Sequence, residues 1–226
     1  MTTQTMQTST SNPTSTSTPT PPADPRPLFG AAVQIAAPII AGVRADQLGL
    51  PSPCVELDVK GLLDHLVFVQ QRVAKLCRGE EAFTPGSLGD GAADHSDWAR
   101  DWSDGAIDVA AAFADDAVLD KTVVLPWATM TGAEMLAMYT AEITTHTWDL
   151  AKATGQTAQW DDGVCRLALD SLRRDLPMAD RTPMWEAFRA TMPANVQFDP
   201  PFANAVAVGP GAPLIDQLVA WSGRKP

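Results

Sequence analysis

Apolar side chains recur at intervals of three or four positions through several long stretches of this 226-residue chain. This interval places apolar residues on one face of an α-helix, and it constrains the fold more than any other feature of the sequence. The pattern predicts helices over about 26–47, 59–78, 96–115, 131–154 and 161–176. We therefore expect an all-α fold, a bundle of four main helices with long crossover connections and a few short extra elements.

Two of these helices carry clear signals at both ends. Asp58 can accept a hydrogen bond from the first turn of the second helix, and Gly79 can adopt the left-handed conformation that closes it. Thr131 and Glu134 have the spacing of a capping box, and Gly155 follows the last turn of the helix that they begin. These signals set the expected bounds of both helices.

Other segments lie outside the main helical pattern. The β-branched stretch 121–126 predicts an extended crossover rather than a sheet of its own. Beyond residue 179 the periodicity is weak, and we expect one more short helix near 214–219. Residues 1–25 are mostly Thr, Ser and Pro, with too few apolar side chains to offset the entropy lost on ordering. We expect a disordered tail there, followed by a single bundle domain over 26–226.

The charge of the chain argues against two classes of partner. The formal net charge is −11 at pH 7, and no cluster of Lys and Arg offsets it. Proteins that bind nucleic acids gain most of their affinity by neutralising phosphates, so we expect no nucleic-acid partner. The same charge opposes adsorption to anionic membranes, and no apolar run is long enough to span a bilayer.

The cysteines and the N-terminus indicate the compartment. The three cysteines, Cys54, Cys77 and Cys165, are odd in number and form no CxxC pair, so they are not a disulfide framework. Free thiols in a reducing cytosol are the simplest interpretation. The first 25 residues contain neither a basic residue nor an apolar segment, so no signal peptide is predicted. We expect a cytoplasmic protein.

Three polar residues could meet inside the bundle. His146 lies four positions after Glu142, and such positions share a helix face, as the two histidines of an HExxH metal site do. His65 lies on the apolar side of the second helix and could approach them from there. A buried carboxylate is costly unless it is paired or bound to a metal. The alternatives are a solvated Glu142–His146 ion pair and hydrogen-bonded core histidines.

Four residues near these candidates have less certain roles. His95 begins the third helix, where it would be exposed or capping. Asp149 requires a cationic partner such as Arg, because a negative charge near a helix C-terminus is unfavourable; it either orients the site or forms a salt bridge to a neighbouring helix. Trp148 is expected in the core. Cys54 precedes the second helix and is expected to be structural.

Several segments resemble those of a known family. Residues 62–66 (LLDHL) and 142–155 (EITTHTWDLAKATG) are similar to the signature stretches of the mycothiol-dependent maleylpyruvate isomerase family, within the DinB-like superfamily of helical metalloproteins. Residues 53–59 resemble the PCxxWDV segment of that family, with Leu57 in place of the Trp. Residues 212–226 resemble the end of a short, single-domain branch. The characterised isomerases carry a further C-terminal domain, for which this chain is too short.

The resemblance implies a fold, a metal and a co-substrate. The fold would be a DinB-like four-helix bundle, in which His65, Glu142 and His146 hold a divalent metal, zinc in the first place with nickel or iron as alternatives. Three protein ligands leave an open position on zinc. A low-molecular-weight thiol docked there, mycothiol by resemblance, would lose its proton and attack a small electrophile. The expected protein is a thiol transferase or isomerase, monomeric or homodimeric.

Other functions could use the same three residues. A metal-bound hydroxide would make the protein a hydrolase. Two histidines and one carboxylate also suit the iron of a non-haem oxygenase. A bundle that binds a metal or ligand without catalysis is a further alternative. Metal analysis and a search for thiol conjugates separate it from an enzyme, and an oxygenase would show iron and oxygen consumption.

Overall fold

The computed structural model describes residues 24–83, 96–191 and 202–226, and these residues form an all-α fold, as predicted. The helices are α1 (Arg26–Ala41), α2 (Val59–Arg78), α3 (Trp98–Ala112), α4 (Ala117–Asp120), α5 (Gly132–Thr154), α6 (Asp162–Asp175), α7 (Thr182–Ala190) and α8 (Leu214–Trp221). A 3₁₀ turn covers Ala45–Gln47, and the strands β1 (Thr122–Leu125) and β2 (Ala128–Thr131) form an antiparallel hairpin.

Four helices build the bundle that was expected. α2 packs against α3 and α5, and α1 packs against the same two helices, so the four close around one core. Their inward faces are mostly apolar; among the residues at or below 1% exposure are Phe29, Leu62, Leu66, Leu136 and Ile143. A second apolar cluster joins the outer side of α5 to α6 and α8; its buried members include Trp148, Leu169, Ile215 and Leu218.

α5 lies at the centre of the molecule, with α1, α2, α6 and α8 packed around it. A helix in that position must bury its polar side chains as well as its apolar ones. Two of its threonines achieve this by bonding to their own backbone: the hydroxyl of Thr140 donates to the carbonyl of Leu136 at 2.7 Å, and that of Thr144 to the carbonyl of Thr140 at 2.6 Å. The central helix therefore buries these two hydroxyls without leaving them unpaired.

The predicted caps of α2 and α5 are confirmed. The carboxylate of Asp58 accepts from the amide of Gly61 at 2.8 Å, and Gly79 closes α2 with φ 78°. Thr131 and Glu134 form the reciprocal capping box at the start of α5, and Gly155 closes that helix with φ 71°. Because the caps fix where each helix begins and ends, they also fix which side chains share a face of that helix.

The first helix is shorter than the periodicity predicts. It ends at Ala41 rather than near residue 47, and a short 3₁₀ turn follows. The side chain of Gln156 donates to the carbonyl of Ile39 at 3.0 Å and so satisfies one acceptor of the last turn. The apolar pattern continues past this point because the following turn also packs on the core. The third helix, over Trp98–Ala112, is likewise a few residues shorter than expected.

Two other expectations were wrong. The stretch 121–126 does form a small sheet, because a two-residue turn at 126–127 lets β1 fold back on β2, with Thr122 opposite Thr131. The helix α7 was missed because it is short and none of its residues is buried, within a segment that is rich in Pro. The tail predicted over 1–25 lies almost wholly outside the described residues. In the part of the chain that is described, no helix is both long and apolar enough to cross a bilayer.

Candidate metal centre

The structure brings together the three residues that the sequence singled out. His65 lies in the middle of α2, between the buried Leu62 and Leu66, and Glu142 and His146 lie one turn apart on α5. Since α2 and α5 pack against each other, the three side chains meet between the two helices. One potential ligand atom from each lies within 4.8 Å of those of the other two.

Glu142 stands between the two imidazoles. Nε2 of His65 is 3.0 Å from Oε1 of Glu142, and Nε2 of His146 is 3.7 Å from the same oxygen. The two rings meet edge to face, with centroids 4.7 Å apart. The side chains of His65 and His146 are 14% and 11% exposed, whereas that of Glu142 is 31% exposed. The cluster is therefore enclosed on its imidazole sides and open to solvent at the carboxylate.

The electrostatics of Glu142 favour its ionised form. Burial by itself raises the pKa of this carboxyl, but the hydrogen bonds and charges of His146 and His65 outweigh burial and hold the pKa well below its usual range. The carboxylate is thus available as an anionic oxygen ligand beside two imidazole nitrogens. Two nitrogens and one oxygen on converging side chains are the donor set of a three-ligand zinc site, so the residues fit a divalent metal.

Asp149 contacts the site from behind His146. Its carboxylate is fully buried and lies 3.1 Å from Nδ1 of His146. An ionised carboxylate can only accept a hydrogen bond, so Nδ1 of His146 must carry the ring proton and donate a hydrogen bond to Asp149. Burial raises the pKa of Asp149, but hydrogen bonds with His146 and Arg224 outweigh it and lower the pKa overall. The sequence left two alternative roles for Asp149, to orient the site or to form a salt bridge. In the structure Asp149 does both, since it contacts the imidazole of His146 and pairs with Arg224.

The cationic partner of Asp149 is Arg224, which the sequence did not identify. Nη2 and Nε of Arg224 donate to the two carboxylate oxygens of Asp149 at 2.9 and 3.2 Å. This arginine follows α8, far from α5 in the chain, and reaches it only because α8 packs against α5 and α6. The requirement for a cation at Asp149 was a usable signal, but nothing local indicated which arginine would supply it.

Cys54 lies closer to the site than its expected structural role suggested. Its sulfur, a nitrogen of His146 and an oxygen of Asp149 lie within 4.8 Å of one another. Burial raises the pKa of this thiol to about 12, which the charge of Arg224 only partly offsets. At neutral pH the thiol form is therefore favoured, and the group is not a ready nucleophile. Trp148 lies in the second apolar cluster, as expected, and His95 lies outside the described residues.

Comparison with known proteins assigns the chain to a family. Residues 29–151 match the family described as the mycothiol maleylpyruvate isomerase N-terminal domain. The chain belongs to this family. The matched segment runs from α1 almost to the end of α5, so it contains His65, Glu142 and His146 and all four helices of the bundle. The all-α architecture is consistent with the DinB-like fold that the sequence resemblance implied.

Relatives extend the likeness beyond the matched domain. Two uncharacterized proteins of Mycobacterium tuberculosis, from strains CDC 1551 and H37Rv, are each 31% identical to this chain over 206 residues. The alignments cover 89% of this chain and 98% of each relative. No solved structure matches the chain. The similarity thus extends beyond the residues 29–151 that match the family.

Proposed function

We propose that this protein is a metal-dependent thiol transferase or isomerase that activates a low-molecular-weight thiol of the mycothiol type. The observation that carries the proposal is the convergence of His65, Glu142 and His146 between two helices of a family whose name refers to mycothiol. These three residues would hold one divalent ion, with zinc as the first choice because the site offers nitrogen and oxygen ligands from three side chains. When bound, such an ion favours the thiolate form of a thiol docked beside it.

The protein's own side chains prepare the site for this chemistry. Asp149 holds the Nδ1 proton of His146, so Nε2 of that ring is the nitrogen directed toward Glu142 and His65. Leu62 and Leu66 flank His65 and exclude water from its side of the site. The exposed edge of Glu142 is where a substrate could enter. The thiol sulfur would then be the nucleophile toward an electrophile, and the product would be a conjugate or, after release of the thiol, an isomer.

Elemental analysis of the purified protein tests the metal site. We expect about one divalent metal per chain in the wild type and a strong loss in His146→Ala, because removal of one of three ligands leaves too few donors. Glu142→Gln should also bind weakly, since it loses the anionic oxygen. Glu186→Gln, an exposed carboxylate on α7, is the matched control and should bind like the wild type. Equal metal content in wild type and His146→Ala would show that the site is misplaced.

A search for thiol conjugates separates an enzyme from a binding protein. The metal-loaded protein is incubated with mycothiol and a panel of small electrophiles, and the products are followed by mass spectrometry. Conjugates or isomers that form with the wild type and not with His146→Ala would support the proposed activity. A protein that binds the metal and forms no product with any thiol would instead be a non-catalytic member of the family.

A further inference from the structure

We infer that Arg224 is a positioning residue of the proposed metal centre, acting on His146 through Asp149. The inference rests on the proposed function, because it concerns the same centre. Arg224 touches none of the three candidate ligands in the described contacts; its guanidinium binds the carboxylate that holds His146. The C-terminal segment after α8 would therefore control the orientation of a ligand that lies on α5.

The geometry of the arginine is well defined. Its guanidinium forms a two-pronged contact with both oxygens of Asp149, and Nη1 donates to the carbonyl of Ser222 at 3.1 Å. Its backbone amide donates to the carbonyl of Val219 at 2.9 Å, and the left-handed Gly223, with φ 94°, turns the chain so that the side chain points inward. The side chain is only 11% exposed. A paired contact of this kind fixes direction as well as distance.

Charge explains why the arginine is required. Asp149 is fully buried, and a second carboxylate, Glu142, lies on the other side of the His146 ring. A buried carboxylate is stable only with hydrogen bonds and a countercharge. Without Arg224, the imidazole of His146, which also faces Glu142, would be the remaining described side-chain partner of Asp149. Arg224 supplies the countercharge to Asp149. Without it, the carboxylate would be expected to move or be neutralised, and the Nδ1 hydrogen bond that orients His146 would be lost.

The same contact decides between two uses of the Cys54–His146–Asp149 cluster. These residues could in principle hold a second cation, because their donor atoms lie within 4.8 Å of one another. Arg224, however, occupies both oxygens of Asp149 and places a fixed positive charge beside them. A second cation there would face that charge. The cluster therefore serves as support for His146, in the way that carboxylates commonly orient metal-binding imidazoles.

Zinc affinity in three variants provides the first test, measured by competition with a chromogenic chelator. We expect Arg224→Leu to bind zinc about tenfold more weakly, at the lower end of the effect seen when such supporting partners are removed. Arg224→Lys keeps the charge but not the two-pronged contact, and should lie between Arg224→Leu and the wild type. Lys225→Leu removes the same charge from the exposed neighbouring residue and should match the wild type.

The second test observes His146 without any metal. In ¹⁵N-labelled metal-free protein, Nδ1 of His146 should carry a downfield, slowly exchanging proton, and this signal should be lost in Arg224→Leu and kept in Lys225→Leu. A merely structural arginine would not change it while the fold, checked by circular dichroism, stays intact. Should Arg224→Leu fail to fold, Arg224→Lys and Asp149→Asn take its place, and wild-type affinity and an unchanged Nδ1 signal in both would overturn the inference.

The two proposals fail in different ways. If the wild type binds no metal, the proposed function fails, while the Nδ1 signal still reports whether Arg224 orients His146. If the wild type binds zinc and Arg224→Leu binds it equally well with an unchanged Nδ1 signal, the inference about Arg224 is wrong and the metal centre stands.

Discussion

At the scale of single residues, burial determines the chemistry of the three cysteines. Cys77 and Cys165 are buried and Cys54 is half-buried, and burial raises their thiol pKa values from an ordinary 9.0 to about 11, about 11 and about 12 respectively. The folded protein therefore favours the neutral thiols. That contribution to stability is complete below pH 9.0 and is lost as the pH rises toward 11 or 12, where the unfolded chain is already ionised.

We accordingly expect the cysteines to be unreactive in the native protein. At pH 8, a thiol-specific disulfide reagent should label them slowly, because little thiolate is present, and should label all three rapidly after unfolding in guanidinium. Urea unfolding at increasing pH should also show stability falling above pH 9.0. Rapid labelling of Cys54 in the native protein, located by mass spectrometry, would show that its surroundings activate the thiol after all, and rapid labelling of Cys77 or Cys165 would contradict the prediction for that residue.

The three candidate metal ligands could be identified from the sequence. Arg224, the residue that supports His146 through Asp149, could not. Helical spacing relates Glu142 to His146, and His65 lies on an apolar face, so periodicity made the three candidates for one site. The family resemblance then singled them out among the alternatives. Arg224 has no such signal. Its contact with Asp149 depends on the packing of α8 against α5 and α6, which is a property of tertiary structure that no local pattern encodes.

At the scale of the elements, the sequence predicted helix ends correctly where the determining residue acts within its own turn of the helix. The caps of α2 and α5 were identified from Asp58, Gly79, Thr131 and Gly155, whose side chains or conformations act within their own turn. The hairpin and α7 were missed for the opposite reason. The strands of the hairpin are only four residues long, and α7 has only nine residues, none of them buried. Each element therefore gives only a short pattern to recognise.

Two glycines on different helices should respond in opposite ways to the same substitution. A methyl group at Gly132, the first residue of α5, would meet the backbone carbonyl of Val118, which cannot give way easily. Gly132→Ala should therefore destabilise the protein by about 1–3 kcal/mol. Gly30 lies inside α1 with open space around it, and Gly30→Ala should stabilise the protein by about 0.8–1 kcal/mol, since alanine is the better helix former.

Urea unfolding followed by circular dichroism measures both glycine variants. The pair provides its own control, because the chemical change is identical and only the surroundings differ. A shift of the same sign in both variants would mean that the space around these residues does not decide the effect.

At the scale of the whole molecule, α5 belongs to both apolar clusters, the bundle core on one side and the α6–α8 cluster on the other. The single domain predicted over 26–226 should therefore unfold as one unit. Leu63 in the first cluster and Leu218 in the second are at most 1% exposed. Replacing either by alanine should cost about 2–5 kcal/mol, through lost burial and the cavity left behind.

The shape of the unfolding curves distinguishes one unit from two. Both leucine variants should shift a single transition that tryptophan fluorescence and circular dichroism report at the same urea concentration. Two separate transitions in Leu218→Ala, with the second unchanged from the wild type, would show that the C-terminal cluster unfolds by itself and that the chain has two domains.

The capping of both site helices has a consequence for the choice of ion. His65, Glu142 and His146 lie well inside α2 and α5, away from the turns that fray. The ligand nitrogens and oxygen can change their separation beyond side-chain rotation only if one helix slides against the other, and the close packing of Leu62, Leu66 and Ile143 resists sliding. If the three residues hold an ion, the rigidity of the surrounding apolar packing would thus exclude an ion of unsuitable radius.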